Sequence, residues 1–521
     1  MTTKKKAFID EVAKKRILIG TMTDPAEDAL AAIAKGLRGA DMVLVGESQH
    51  YTKQFNVFAN RLFAYLAENE GFTTFVYETP FAAAAIIDRF VQGENIELTE
   101  ALNAGICEMF CGWESIRDLV LWMRAYNMSQ PEKRIHFYGA DIACEGPYNT
   151  MKLLLAYLSK VDPAFVAGFE EDLRESEAYT IFRYVELTAD QRDHLAAQAA
   201  RITERLRSEG PSYAAKTGKE SWAFALQAAV NLERTIMWFD TFARTGSFTA
   251  TDTIRDGCMA DNLKWILEKE GERGGILFHS HNEHARKELR VGGYISAGAH
   301  LAFLLPDQKI ISLACMSKYN LRPDDTCPED CLQDALGKAE DSDYLIDLHS
   351  LTQPEAISFM KAPLKDRLST NFTTAVLADS YDMIAFTNEH LSEDTMVNQP
   401  YESAIIDPDE SALSEYEGIY SLEHSWFPGD VKDCLTILSE NGRLYSHCLN
   451  GPDGKPDAGS TIAEHAPVAK SELFQIGEDK FIWKNYCGII QFLRSEEGTV
   501  KGLEYSYYNT EQTTYPARKI L

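Results

Sequence analysis

The sequence holds no run of about 18 apolar residues, so it contains no segment able to cross a bilayer as a helix. Its first residues, "MTTKKKAFIDEVAKKRILIG", supply basic charge but no apolar stretch behind it, so a secretory signal is not expected. Basic residues are scarce: 51 Lys and Arg stand against 79 Asp and Glu, a formal charge of −28. A surface so acidic argues against nucleic acid or an anionic membrane as partner, since both are polyanions. The ten cysteines are scattered, and neither close pair, "CEMFC" (Cys107, Cys111) nor "TCPEDC" (Cys327, Cys331), has a second pair at zinc-site spacing. Reduced thiols in a cytoplasm are the expectation. No G-x-S-x-G elbow occurs, and "GESQH" lacks the second glycine that closes such a turn, which makes Ser48 a poor nucleophile. With no Walker A loop and no G-x-G-x-x-G after a strand, nucleotide chemistry is not implied, and no cofactor is expected.

Apolar, β-branched runs recur along the first three quarters of the chain: "MVLVG" (42–46), "TTFVYE" (73–78), "RIHFYG" (134–139), "GGILFH" (274–279), "KIISLA" (309–314), "YLIDL" (344–348) and "MIAFT" (383–387). Continuous rather than alternating runs indicate strands buried on both faces, as in a mostly parallel sheet flanked by helices. Helical patterns separate them; in "TKQFNVFANRLFAYLAENEG", Phe55, Phe58, Leu62 and Leu66 recur at helical spacing and read as core. From about 148 to 252 the strand pattern stops. A helical insertion of roughly 100 residues is expected there, too long for an idle loop. Thr188 and Gln191 form a capping-box pattern within it, and Trp222, Trp238 and Phe239 read as packing residues. Residues 1–394 thus form an α/β unit. A polar stretch at 395–411, with Pro400 and Pro408, reads as a linker on which few contacts depend. Residues 412–521 alternate in β fashion, with an Asn441-Gly442 hairpin signal, and form an antiparallel all-β domain similar to the small lipocalin-like domains appended to some bacterial hydrolases.

Titratable residues gather where the strands end. "VLVG" delivers Glu47 and His50, "FVYE" delivers Glu78, "HFYGAD" delivers Asp141, and "ILFHSHNEH" delivers His279, His281 and His284. In open parallel sheets ligands bind beyond the carboxyl ends of the strands. Carboxylates beside imidazoles there orient the ring and raise its basicity, which fits a hydrolase whose histidine activates water directly. The H-x-H-x-x-H spacing of His279, His281 and His284 also suits a metal ion, which leaves a metal-assisted hydrolase as an alternative. A binding or biosynthetic protein that grips a polyketide-like ligand without cleaving it is a third reading.

The stretches "VLVGESQH", "FVYETP", "GWESIRDLVLWMRAYN", "IHFYGADI", "IRDGCMADNLKWILE" and "HSHNEHARK" resemble, in order and spacing, the erythromycin esterase family across roughly residues 25 to 390. The resemblance implies an esterase or lactonase that opens a bulky, macrolide-type ester by activated water without an acyl-enzyme, a small-molecule partner, and a link to antibiotic resistance. It places the family's catalytic histidine on His50, its motif glutamate on Glu47, a second glutamate on Glu78, the paired late histidines on His281 and His284, and an arginine on Arg255. On this basis His50 deprotonates water, Glu47 orients it, and Glu78 with His281 or His284 holds the water and polarises the carbonyl; no metal is assigned. Arg61, Asp141, Arg255, Tyr51 and Trp113 are the candidate substrate-contacting residues. The chain departs from the family pattern at Tyr51, where a glycine is usual, at Gln54, where a glutamate is usual, and at Ala59, where an arginine is usual; Arg61 is the nearest arginine.

Overall fold

The computed structural model describes the chain except residues 108–109, 145, 177–178, 180, 290–292, 294, 320–326, 369–370, 396–400, 423–433, 448–469, 508–513 and 521, and the side chains of 181–182, 248, 368, 371–372, 486 and 507. Cys448, Pro400 and the middle of "CEMFC" therefore lie outside the described residues.

The apolar runs become strands. In chain order the first eleven are β1 (Ile17–Thr21), β2 (Asp24–Pro25), β3 (Met42–Glu47), β4 (Phe72–Pro80), β5 (His136–Asp141), β6 (Gly275–His281), β7 (Ile310–Ser317), β8 (Asp343–Asp347), β9 (Pro363–Leu368), β10 (Asn371–Val376) and β11 (Met383–Thr387). Among the described residues nine of them form one sheet in the order β2-β1-β8-β11-β7-β3-β6-β4-β5, and β9 and β10 form a separate ribbon. The pairs from β11 through β5 are parallel, whereas β8, β1 and β2 join antiparallel at one edge. The run "YLIDL" is thus an antiparallel strand, although its pattern reads like the parallel ones. Burial on both faces sets that pattern, and burial does not depend on strand direction. Every residue of β3 is buried, and its central place between β6 and β7 explains the unbroken hydrophobic run before Glu47.

Between β5 and β6 the chain is helical, from Tyr148–Val161 to the long Lys219–Thr245 and Phe248–Glu270 helices. Thr188 and Gln191 close both halves of the capping box at the start of the Ala189–Ser208 helix. Trp238 and Phe239 are buried in the core of this region, and the Trp222 indole N–H donates to the Leu206 carbonyl. No helix among the described residues is long and apolar enough to cross a membrane.

Downstream, β12 (Gly418–Leu422), β13 (Cys434–Glu440), β14 (Arg443–His447), β15 (Ser471–Gly477), β16 (Lys480–Trp483), β17 (Gly488–Arg494), β18 (Val500–Tyr507) and β19 (Tyr515–Lys519) form a closed antiparallel barrel. Asn441 and Gly442 join β13 to β14 with positive φ values of 52° and 74°, the combination that an Asn-Gly hairpin turn requires. The barrel packs on the α/β unit. Ile482, Cys487 and Ile489 are buried in the same apolar cluster as the α/β core, with Phe474 and Ile476 packed against it. Alternation along the strands gives the barrel a second apolar face, turned outward.

Candidate functional site

Because β3, β4, β5 and β6 are parallel neighbours, their carboxyl ends open on one edge, and Glu47 is in register with His281 on β6. The Glu47 carboxylate meets His50 Nδ1 at 2.7 Å. That contact favours a proton on Nδ1 and leaves the lone pair of neutral His50 on Nε2. Burial opposes protonation of His50, but the Glu47 hydrogen bond and the charges of Glu47 and Glu78 outweigh it and raise the ring above its ordinary value. The His50 ring lies 5.2 Å from that of His281 and 5.0 Å from that of Phe110. With 15% of its side chain exposed, it is more open than Glu47 or His284.

A second group of charges adjoins this pair. Asp141 accepts from Arg255 Nε at 3.0 Å and from a terminal guanidinium nitrogen at 2.5 Å, and the latter nitrogen also donates to Glu78 at 2.9 Å. The other Glu78 oxygen accepts the His281 backbone N–H at 2.7 Å. His284 meets Glu78 through Nε2 at 3.2 Å and Asp256 through Nδ1 at 2.8 Å. With a carboxylate on each nitrogen the ring is an imidazolium. Burial opposes that charge, yet Asp256 and Glu78 raise His284 well above the imidazole range. Burial would likewise raise Glu78, but His284, with His50 and Arg255, holds it well below the usual carboxylate value. For Asp141 burial prevails over Arg255, and its carboxyl is raised.

His281 differs from both. Its Nδ1 accepts the Glu283 N–H at 3.4 Å, capping the short Asn282–Ala285 helix, and its Nε2 faces the Ser48 carbonyl at 3.1 Å. Burial pushes this ring down to about 3, so it is neutral with its proton on Nε2. Both nitrogens are engaged within the protein. In this arrangement His281 ties the Asn282–Ala285 helix to the loop that carries His50.

Other expected residues sit elsewhere. Arg61 is 54% exposed and faces Asp24 at 3.5 Å. The inner face of the Lys53–Asn69 helix consists of Phe55, Phe58, Ala59 and Leu62, and position 61 falls outside it. Tyr51 and Trp113 are fully buried, with ring centroids 5.2 Å apart, and Phe110 packs against Trp113 at 4.3 Å. They form the aromatic floor under the His50 loop and have no surface to offer a substrate. Tyr51 has φ +62°, the left-handed conformation that glycine adopts most easily, which accounts for the glycine usual at this place in the pattern. Ala59 is core.

For the three-histidine metal reading, His279 would have to join His281 and His284. Its Nδ1 faces the Val45 carbonyl at 2.9 Å and its Nε2 faces the Asn56 side-chain amide at 3.0 Å, so both nitrogens are directed at protein partners. Among the described residues no group of three or more His, Cys, Asp or Glu is arranged to hold a metal ion.

Sequence reasoning missed Asp252, Asp256 and Glu393. Asp252 and Asp256 share a face of the Phe248–Glu270 helix with Arg255, and that i, i+3, i+4 spacing was the available signal. Burial pushes Asp252 up to about 6, against the influence of Arg255. Glu393 lies in a polar segment whose texture gave no sign of burial.

A family model described as erythromycin esterase matches residues 67–390, a span that begins after Glu47 and His50. Erythromycin esterase type II of Escherichia coli is 26% identical over 287 residues, covering 52% of this chain and 67% of that protein. Among solved structures, a Bacillus cereus protein superposes with a TM-score of 0.64 at 17% identity, covering 75% of this chain and 99% of its own. A succinoglycan biosynthesis protein gives 0.62 at 19%, covering 75% and 99%. An erythromycin esterase mutant in its open conformation gives 0.58 at 15%, covering 73% and 98%. At these identities the solved structures show a shared α/β fold.

Proposed function

The chain belongs to the erythromycin esterase family, and from that premise we propose that it is a carboxylic ester hydrolase that opens a bulky, macrolide-type lactone by direct attack of water. The observation that carries the reading is the 2.7 Å contact of Glu47 with His50 Nδ1 at the end of a fully buried strand. Glu47 holds His50 in the tautomer whose Nε2 takes a proton. As the water oxygen attacks the ester carbonyl, its proton passes to Nε2, and the resulting oxyanion develops beside the cations Arg255 and His284. Collapse breaks the acyl C–O bond, and His50 returns the proton to the leaving alkoxide. The products are an alcohol and a carboxylic acid that loses its proton to solvent to become a carboxylate, and for a lactone both remain on one opened chain. The carboxylates Glu47, Glu78, Asp141 and Asp256 outnumber the two cations, which favours departure of the new carboxylate.

Incubation with erythromycin, followed by mass spectrometry, tests this. The expected product is heavier by one water. His50→Asn is expected to lower turnover by about a hundredfold or more while the protein still unfolds cooperatively. Ligand binding without turnover at any pH would favour the binding-protein reading, and near-native activity in His50→Asn would remove the base assignment.

A further inference from the structure

Residues 391–395 lie just beyond the family match, where the α/β unit gives way to the linker. They form a strap across the base of the site. The Lys53 N–H donates to the Leu391 carbonyl at 2.9 Å, and the Leu391 N–H donates to Gln54 Oε1 at 2.9 Å. Ser392 and Thr52 form an isolated antiparallel bridge, as do Thr395 and Trp113. The Glu393 N–H donates to the Tyr51 carbonyl at 2.7 Å, and the Glu114 N–H donates to the Asp394 carbonyl at 2.9 Å. Lys53 pairs with Asp394. Five residues thus fasten the start of the Lys53–Asn69 helix, the His50 loop and the start of the Glu114–Ser129 helix to one another.

Glu393 is the buried centre of the strap. One carboxylate oxygen accepts the Ser115 N–H at 3.1 Å, and the other lies 3.3 Å from Asn56 Nδ2. Asn56 in turn meets His279, which meets the Val45 carbonyl on β3, the strand that ends in Glu47. We infer that Glu393 is a positioning residue for the hydrolysis, holding the His50 loop through its backbone and β3 through Asn56 and His279. The inference rests on His50 being the base.

The chemistry of this bridge is restrictive. The Val45 carbonyl only accepts, so His279 Nδ1 carries a hydrogen. Asn56 can then serve both neighbours in two ways. Its NH2 donates to an ionised Glu393 while its oxygen accepts from a doubly protonated His279, or the amide turns over, and a protonated Glu393 donates to the oxygen while the NH2 donates to a neutral His279. In either arrangement the Glu393–His279 pair holds one shared proton. Burial pushes Glu393 up to about 7 and lowers His279, which favours the second arrangement. The charges facing Glu393 are Lys53, which opposes this rise, and Glu47, which adds to it; Tyr77 is coupled to Glu393 from β4, and Asp394 and Glu114 neighbour the same lysine. Glutamine reproduces the protonated acid, accepting from Ser115 with its oxygen and donating to Asn56 with its NH2. Alanine reproduces neither.

The test is steady-state hydrolysis of erythromycin by full-length Glu393→Ala, Glu393→Gln, Asn56→Ala and His50→Asn. Glu393→Ala is expected to lower kcat about tenfold or more with KM changed less than about twofold, because the base is misplaced rather than lost. Glu393→Gln is expected to recover most of the turnover and to flatten any titration near pH 7. Asn56→Ala, which keeps the backbone strap, is expected to lower kcat as well and carries the test if Glu393→Ala fails to fold. Full kcat in a folded Glu393→Ala or Asn56→Ala, or Glu393→Gln no better than Glu393→Ala, would overturn the inference while an inactive His50→Asn kept the base reading intact. An active His50→Asn would overturn both.

Discussion

Arg255 stands between Asp141 and Glu78, and His284 between Glu78 and Asp256, so each buried carboxylate in this part of the cleft touches a cation. Removing one partner leaves charge buried without compensation, which is far more damaging than losing an exposed pair. Arg255→Ala is accordingly expected to destabilise the fold by about 3–5 kcal/mol at neutral pH in denaturant titrations. The loss should shrink as pH falls. Burial already raises Asp141, and without Arg255 it rises further, so the folded state binds more protons than the unfolded one and gains stability on acidification. A loss below about 1 kcal/mol, or one independent of pH, would show that the cluster is solvated. At this scale the sequence was informative about position wherever a residue stands at or near the carboxyl end of a buried strand, as Glu47, Glu78, Asp141 and His281 do. It could not place Arg61, because which side of a helix faces the cleft depends on packing and not on distance along the chain from His50. It also could not tell which nitrogens of His281 and His284 would be engaged, since Ser48, Asp256 and Glu78 reach them from other elements.

The elements that carry these residues fit closely. A Cβ on Gly46 would lie 2.1 Å from Asn282 Oδ1 and 3.0 Å from its Cα, and Asn282 begins the helix on which His284 sits. Asn282 is itself held by its Nδ2 donating to the Cys315 carbonyl on β7 at 3.0 Å. Gly46→Ala must therefore displace that helix, with an expected cost of about 1–3 kcal/mol and a fall in kcat at least as marked as any change in KM. A wild-type melting temperature and rate would mean the helix moves without consequence. The parallel strands were legible because two-sided burial leaves an unbroken apolar run. The antiparallel edge was not: β1 and β2 are short and largely exposed, and nothing in "YLIDL" records which way β8 runs.

Across the whole molecule, the β domain was visible in its alternation and its Asn441-Gly442 turn, whereas its docking was not. Phe474, Ile476, Ile482 and Ile489 occupy positions that alternation in an isolated barrel would assign to solvent, and they pack on the α/β core instead. Beyond the strap, the Ile406 N–H donates to the Gln475 carbonyl on β15, so the barrel also anchors the chain that leaves the His50 loop. Truncation to residues 1–408 is thus expected to expose an apolar face, to lower the melting temperature by several degrees, and to reduce turnover although every proposed catalytic residue remains. Differential scanning calorimetry and an erythromycin assay on the truncated chain check this; unchanged melting and turnover would mean that the barrel is an independent appendage.

The central claim is that His50, oriented by Glu47, is the base, and the pH dependence of kcat/KM for the wild type and Glu47→Gln tests it most directly. The active base is neutral, so activity rises with pH through the pKa of His50 in the free enzyme. Because Glu47 and Glu78 raise that value against burial, the wild-type acidic limb is expected to have its midpoint above 6.5. Glu47→Gln removes the largest of the raising influences and leaves burial in place, so its midpoint should move to lower pH on a reduced plateau. An acidic limb that is absent, or that stays where it was in Glu47→Gln, would contradict the assignment.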